Sequence, residues 1–202
     1  RVYQECTVKL RSIYCVAPVV LLAMLLGVLS GSARGAIIES DFDAGSEGWT
    51  ITGDAQGGSV QPDWHSTGGN PGGHISATDN VQGGTWYYKA PAKVRGGHSD
   101  AYGDTLSYDL RQSGTHSQFN NVEIHLRGGG LSLTRETSHP GTSWTHYSVA
   151  LTESGGWLIG GSPVSQAQIQ QVLGNITDLQ IRGEFISGSD LGRLDNVVMT
   201  PE

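Results

Sequence analysis

Carboxylates stand beside apolar residues in two short strings, one near each end of the sequence. Asp43 lies in the string Phe42–Trp49, and Asp195 lies in the string Leu194–Val197. Calcium prefers about six to eight oxygen ligands, which carboxylates and loop carbonyl groups supply readily. If the strings border the first and last strands of one sandwich, Asp43, Asp79 and Asp195 are candidate ligands of a structural Ca²⁺ ion. The alternative is that Asp43 caps a turn and Asp195 faces water.

Large aromatic rings are numerous for a chain of this size, with five tryptophans and seven tyrosines. Sugars stack their C–H faces on exposed rings, while polar side chains bind the hydroxyl groups. We predict that Trp64, Trp86 and Tyr88 bind such a ligand. In a strand Trp86 and Tyr88 share one face and Tyr87 takes the other, so at least one of these faces must be core. The alternative is therefore that most of these rings are packing residues.

Catalytic chemistry has less support from the spacing of residues. The acids of the segment Glu39–Asp43 lack the Glu-x-Asp-x-x-Glu spacing of jelly-roll glycoside hydrolases, and no Gly-x-Ser-x-Gly elbow precedes a helix. No histidine pair on one element has zinc spacing, although His116 and His125 could meet across neighbouring strands. We predict no catalytic residues, and a glycan-active enzyme is the less favoured alternative.

The N-terminus has the pattern of a secretory leader. Lys9 and Arg11 precede an apolar run over 16–29, and small residues follow it. The run is short for a bilayer span, which needs about 20 apolar residues. We therefore expect a leader over 1–35 and one mature domain over 36–202, with no membrane insertion of that domain; an uncleaved anchor is the alternative.

The composition of the mature region limits its partners. Cys6 and Cys15 both lie in or before the leader, so disulfides and thiolate metal sites are excluded from the domain. Four of the twelve basic residues and one of the nineteen acidic residues precede Ile37, which leaves 8 against 18. An acidic domain without a basic stripe is a poor partner for nucleic acid or an anionic membrane.

The elements that must position these residues are mostly strands. Apolar and polar residues alternate over 106–110, 122–126 and 147–151, and glycine-rich turns separate the runs. This pattern favours a sandwich or jelly roll. One segment differs, because Ser165 and Gln168 have the form of a capping box and apolar residues follow at helical spacing. The spacing predicts a short helix over 166–173.

Eight stretches occur in a characteristic order over residues 41–198, among them GNPGGHI (69–75), WYYKAPAKVRG (86–96) and LDNV (194–197). In this order and spacing they resemble the laminin B domain, also called laminin domain IV. The resemblance implies an all-β fold, a galactose-binding-like jelly-roll β-sandwich with one short helix and no catalytic residues. Sandwiches of this kind often hold a calcium ion between the first loop and the last strand, where Asp43 and Asp195 stand.

Laminins carry this domain among cysteine-rich epidermal-growth-factor-like repeats, which this sequence lacks. The chain therefore looks more like free-standing, secreted microbial versions of the domain. We expect a non-catalytic, secreted or cell-surface module that binds an extracellular glycan, a matrix polymer or a surface protein. The alternative is a structural or adhesion unit with no sugar site.

Overall fold

The computed structural model describes residues 38–53, 60–79 and 83–200. All of them belong to the compact unit Arg34–Glu202. The predicted leader over 1–35 lies outside the described residues and stays a prediction. Within the described ranges, none of the helices has the length and apolar character that crossing a membrane requires.

Strands dominate the described part of the chain, together with one α-helix and short 3₁₀ turns. In chain order the strands and the helix are β1 (Ile38–Ser40), β2 (Thr50–Thr52), β3 (Asp63–His65), β4 (His74–Thr78), β5 (Tyr87–Lys89), β6 (Thr105–Gln112), β7 (Ile124–Gly128), β8 (Leu131–Arg135), β9 (Thr145–Ala150), β10 (Leu158–Ile159), β11 (Ser162–Pro163), α1 (Gln166–Leu173), β12 (Ile176–Arg182) and β13 (Leu191–Thr200).

The strands form two antiparallel sheets. The first sheet has the order β3-β4-β13-β6-β9, and β1 also pairs with β13. The second sheet has the order β11-β10-β8-β7-β12-β5-β2. Buried apolar residues of both sheets belong to one core cluster. The predicted all-β sandwich is therefore confirmed.

Alternation along the strands determines which side chains enter this core. In β6, Leu106, Tyr108 and Leu110 are all fully buried, as the period-two pattern predicts. The predicted strand over 122–126 begins later, at Ile124. Glu123, which the pattern places in water, is buried instead. A buried carboxylate needs partners, and those of Glu123 belong to the candidate site described below.

The helix α1 forms where the capping box predicts it. The backbone N–H of Gln168 donates to Ser165 Oγ at 3.4 Å, and the backbone N–H of Ser165 donates to Gln168 Oε1 at 2.9 Å. These bonds satisfy donors that the first turn would otherwise leave unpaired. The helix buries Ile169, Val172 and Leu173 and packs against β7 and β8.

Candidate functional site

Trp86 and Tyr88 are core residues, so the prediction that they bind a ligand is wrong for these two rings. Both are 0 % exposed. Tyr88 lies on β5, an inner strand between β12 and β2, and Trp86 directly precedes this strand. The Trp86 indole fills space that two glycines leave open. A Cβ atom on Gly183 would lie 1.8 Å from this ring, and one on Gly192 would lie 3.1 Å from it. The Tyr88 hydroxyl donates to Gly192 O at 2.7 Å.

Tyr87, between these two residues, takes the opposite face of the strand. Its hydroxyl donates to the carbonyl oxygen of Val122 at 3.0 Å. Its ring meets the His125 ring edge-on, with centroids 5.1 Å apart. The polar face of the second sheet therefore carries one aromatic ring of the Trp86–Tyr88 segment.

Trp64 is exposed, in contrast to the other two predicted rings. It lies on the edge strand β3 and has 42 % of its surface exposed. Its Nε1 donates to the carbonyl oxygen of Phe42 at 2.6 Å, which holds the indole over the sheet edge. Trp64 pairs with Ile75, four residues before Asp79 along β4. At about 3.3 Å per residue, Ile75, and with it Trp64, lies about 13 Å from Asp79 along the strand.

Asp43 and Asp195 meet at one loop, over residues 69–73. The Asn70 N–H donates to Asp195 Oδ2 at 2.5 Å, and the Gly73 N–H donates to Asp43 Oδ1 at 2.8 Å. Asp195 is fully buried, so the alternative that it faces water is wrong. Burial raises the pKa of Asp195 to about 6, and the charges of Asp109 and Asp43 add to this effect.

Asp79 lies away from this loop. Its backbone N–H donates to Asp190 O at 2.9 Å, so it faces the start of β13, whereas Asp195 is five residues further along. Five residues of strand span about 17 Å. Within the described ranges no three acidic, histidine or cysteine side chains are placed to hold a metal ion. The predicted set of three aspartates is therefore not assembled, and a calcium ion held by Asp43 and Asp195 stays a prediction.

A cavity of about 700 Å³, here called the end cleft, lies where several strands begin or end. Asp79 follows β4, Tyr87 begins β5, Asn121 precedes β7 and Glu184 follows β12. The lining residues are Asp79, Gly83, Gly84, Thr85, Tyr87, Phe119, Asn121, Glu184, Ser187 and Gly188. Two aromatic rings and several carboxylate, amide and hydroxyl groups thus surround one cavity.

A buried arginine supports the end cleft. The Arg182 guanidinium lies between two rings, 4.4 Å from the centroid of Phe119 and 4.5 Å from that of Phe185. Its Nη2 donates to the carbonyl oxygen of Phe119 at 2.9 Å, and its Nη1 lies 3.9 Å from Glu123 Oε1. These contacts fix the Phe119 ring in the cleft wall.

Carboxyl groups near the cleft are strongly affected by burial. Burial raises the pKa of Glu123 to about 7, although the Thr137 N–H and Arg182 act in the opposite direction. Burial likewise raises the pKa of Asp190 to about 6, and the charge of Asp79 raises it further. Sequence analysis missed these residues because alternation places Glu123 among solvated positions, and no local pattern indicates that distant loops will cover it.

Known proteins share this fold and parts of this sequence. The profile of the family "Laminin B (Domain IV)" matches residues 87–201. Laminin subunit gamma-1 of Xenopus tropicalis is 27 % identical over 171 residues, which cover 81 % of this chain and 10 % of that protein.

Two solved structures resemble the chain in three dimensions. The L4b domain of human laminin alpha-2 has a TM-score of 0.66 at 16 % identity, covering 82 % of this chain and 97 % of that one. The family 11 carbohydrate-binding module of the cellulosomal cellulase Lic26A-Cel5E of Clostridium thermocellum has a TM-score of 0.53 at 15 % identity. It covers 85 % of this chain and 97 % of that one.

The two sheets form a β-sandwich with the fold of the laminin L4b domain and of the family 11 carbohydrate-binding module. The chain belongs to the Laminin B (Domain IV) family, because the family profile matches more than half of its length. It spans only about a tenth of the laminin subunit to which it is similar.

Proposed function

We propose that the domain is a non-catalytic, extracellular module that binds a glycan in the end cleft. The observation that carries the proposal is the combination of volume and lining: about 700 Å³, with Tyr87 and Phe119 beside Asn121 and Ser187. Ligand cavities typically have volumes of about 300–1,000 Å³ and combine apolar rings with a few polar groups. The predicted leader and the laminin relatives support an extracellular location.

The lining chemistry fits a sugar better than an apolar ligand. Rings pack against the C–H faces of pyranoses, whereas carboxylate and amide groups bind hydroxyls through hydrogen bonds. In the cleft, Phe119 supplies a ring whose other side is covered by the Arg182 guanidinium. Asn121 is exposed at the rim, where its Nδ2 donates to Thr85 Oγ1 at 2.8 Å.

The carboxylates of the cleft support binding rather than catalysis. Glu184 Oε2 accepts the backbone N–H of Trp86 at 3.2 Å, so this group helps to hold the start of β5 in place. Asp79 is buried and joins the two strands at their ends through its backbone. A glycosidase would need two carboxyl groups directed at the scissile bond, one of them as a proton donor.

The alternative is a structural or adhesion unit without a sugar site. The similarity to a laminin subunit favours this alternative, because the family relation is clearer than the low-identity likeness to carbohydrate-binding modules. In that case the end cleft would be part of a protein interface or would have no ligand.

A glycan and polysaccharide binding screen with three proteins separates these proposals. The proteins are the wild type, Phe119→Ala in the cleft and Trp64→Ala on the distant edge strand. We expect saturable binding by the wild type, retention in Trp64→Ala, and a loss of about tenfold or more in Phe119→Ala, the usual effect of removing a stacking ring. Circular dichroism must show that each variant is folded.

Each result assigns the function differently. Loss of binding in Trp64→Ala alone would keep a glycan-binding function but move it away from the end cleft. No binding by the folded wild type, with calcium or with chelator, would reject the glycan proposal and favour the structural unit.

A further inference from the structure

Two arginines lie side by side on the outer face of the first sheet. Arg193 of β13 pairs in register with Arg111 of β6 and with Ser76 of β4. The neighbouring pair Leu194 and Leu110 is fully buried, so alternation directs both guanidinium groups away from the core. Like charges directly opposite each other destabilise a sheet. Such a pair therefore needs either a compensating charge or a function.

In the part of the chain that the structure describes, no carboxylate forms an ion pair with either arginine, although Asp63 of β3, which pairs with Ser76, lies on the same face. There the Arg193 side chain has no hydrogen bond or ion pair, and the Arg111 side chain donates only from Nε, to Thr142 O at 3.0 Å. Burial lowers the pKa of Arg193, and the charge of Arg111 lowers it further. Arg127 on the second sheet differs, because its Nη1 lies 2.5 Å from Asp178 Oδ2.

A groove of about 370 Å³ contains both arginines. We call it the basic groove; its lining residues are Asp63, His65, Gly68, His74, Ser76, Thr78, Arg111, Leu191 and Arg193. The His65 and His74 rings are stacked, with centroids 4.6 Å apart. Trp144 meets His74 edge-on at 5.6 Å and donates from Nε1 to Gly68 O at 3.1 Å, which closes one side.

His74 adds a buried imidazole to the wall of the groove. The residue is only 6 % exposed and Nδ1 is buried; burial lowers the pKa of the ring to about 4, and the backbone of Thr67, as a hydrogen-bonding group, acts in the opposite direction. The ring edge faces Gly68 in the groove lining, since a Cβ atom on Gly68 would lie 3.5 Å from Cε1 and 4.0 Å from Nδ1. His74 is therefore a buried polar group that borders the groove beside the two arginines.

We propose that the basic groove binds an oxyanion group, the sulfate ester or carboxylate of an acidic extracellular glycan. The planar N–H pairs of two guanidinium groups match the oxygen atoms of such groups and form charge-assisted hydrogen bonds. The chain carries a net charge of −7, so the groove is a local positive site that suits one anionic group rather than a long polyanion such as nucleic acid. The groove shares no lining residue with the end cleft, so oxyanion binding can fail or succeed independently of glycan binding in the cleft; the choice of an extracellular glycan rests on the proposed extracellular location.

Isothermal titration calorimetry at low ionic strength tests the proposal with three probes. The probes are inorganic sulfate, short heparin fragments and the same fragments after chemical desulfation. We expect the sulfated fragments to bind the wild type and Arg193→Gln to weaken this binding by about tenfold or more, as loss of a charge-assisted hydrogen bond predicts. The matched control is Arg95→Gln, an exposed residue outside the groove whose replacement removes the same charge.

The three probes distinguish the possible sources of the oxyanion. Binding of the sulfated but not the desulfated fragments, with weak binding of free sulfate, assigns the group to a glycan. Equal affinity for free sulfate and fragments, lost in Arg193→Gln, assigns the groove to a free oxyanion. Absence of binding by the wild type, or an equal effect of Arg95→Gln and Arg193→Gln, overturns the proposal. Because Arg193→Gln removes a repulsion, it is expected to fold, and its melting curve checks this directly.

Discussion

The end cleft lies beyond the end of β4 and before the start of β13, whereas the basic groove is lined by residues of both strands, and the charged groups of the two regions have opposite environments. Below the end cleft, the Arg182 guanidinium is fully buried, covered by two rings and close to Glu123. In the basic groove, Arg193 is only half-buried and has no acidic partner within the described residues. A charge that is fully surrounded stabilises the fold, whereas a half-buried charge without a partner indicates a place for a ligand. The predictions below test this distinction.

Removal of the buried cation should have the largest effect. Arg182→Leu leaves Glu123 buried without its cation, and loss of one partner of a buried pair typically costs about 3–5 kcal/mol of unfolding free energy. Because burial raises the pKa of Glu123 to about 7, we expect the full loss at pH 8, where the carboxyl is ionised, and a smaller loss at pH 5. The Phe119 ring would also lose the guanidinium on which it packs, so the cleft wall should loosen. Urea denaturation followed by tryptophan fluorescence measures the loss.

A double variant provides the matched control for this prediction. Arg182→Leu combined with Glu123→Leu removes both charges, and apolar replacement of a whole buried pair is often close to neutral. The double variant should therefore be clearly more stable than Arg182→Leu alone. Equal stability of the two would show that packing on Phe119 and Phe185, and not the charge, makes Arg182 important.

Loss of the carboxylate that anchors the loop over 69–73 should have a smaller effect. Asp195→Ala removes the acceptor of the Asn70 and Asn196 N–H groups, at a cost of about 1–3 kcal/mol. The calcium hypothesis adds a second readout, since any rise in melting temperature with Ca²⁺ should disappear in Asp195→Ala. Differential scanning calorimetry with Ca²⁺ and with chelator measures both quantities.

Asp79→Asn is the control for the calcium readout, because Asp79 lies at the other end of β4. Its replacement should leave the response to Ca²⁺ unchanged. A calcium response that persists in Asp195→Ala rejects the assignment to this aspartate. A response lost only in Asp79→Asn would move the ion to the end cleft.

The sheets could be predicted from sequence because their signals are local. Alternation in β6 and the capping box before α1 depend on neighbouring residues, and both are confirmed. Of the three rings predicted to bind a ligand, Trp64 is exposed, as stacking on a sugar requires. Trp86 and Tyr88 could not be placed by the same reasoning, because alternation shows that two faces differ without showing which one is core.

Both cavities depend on contacts between residues that are distant in sequence. Arg193 and Arg111 are 82 residues apart and become neighbours only through the register of β13 with β6. In the same way, Glu123 is buried because loops from other parts of the chain enclose it together with Arg182. No spacing in the sequence indicates either arrangement, and the characteristic order of short stretches predicts the fold without predicting the register.

The pH dependence of the unfolding free energy should have opposite signs for the two regions, and it is the smallest of the effects expected here. Glu123 and Asp190 have a raised pKa, about 7 and about 6, so the folded state holds protons that the unfolded state has released. Their contribution to stability is full below about pH 4 and is lost as the pH rises through 6 and 7. His74 has a lowered pKa, about 4, because of burial, His65 and Arg193. Its contribution is full above about pH 6.5 and is lost as the pH falls toward 4.

These opposite contributions partly cancel in the wild type, so single variants are needed to reveal them. Glu123→Gln should make the unfolding free energy increase more from pH 5 to pH 8, and His74→Gln should make it increase less, each by roughly 1 kcal/mol. Urea titrations at the two pH values measure the difference. If both variants change the profile in the same direction, the two regions do not oppose each other and one of the two burial effects is wrong. If the two variants change the profile in opposite directions, burial near the end cleft favours protonated carboxyl groups, and burial in the basic groove favours the neutral imidazole of His74. An oxyanion bound in the groove would oppose the second effect, because it stabilises the imidazolium.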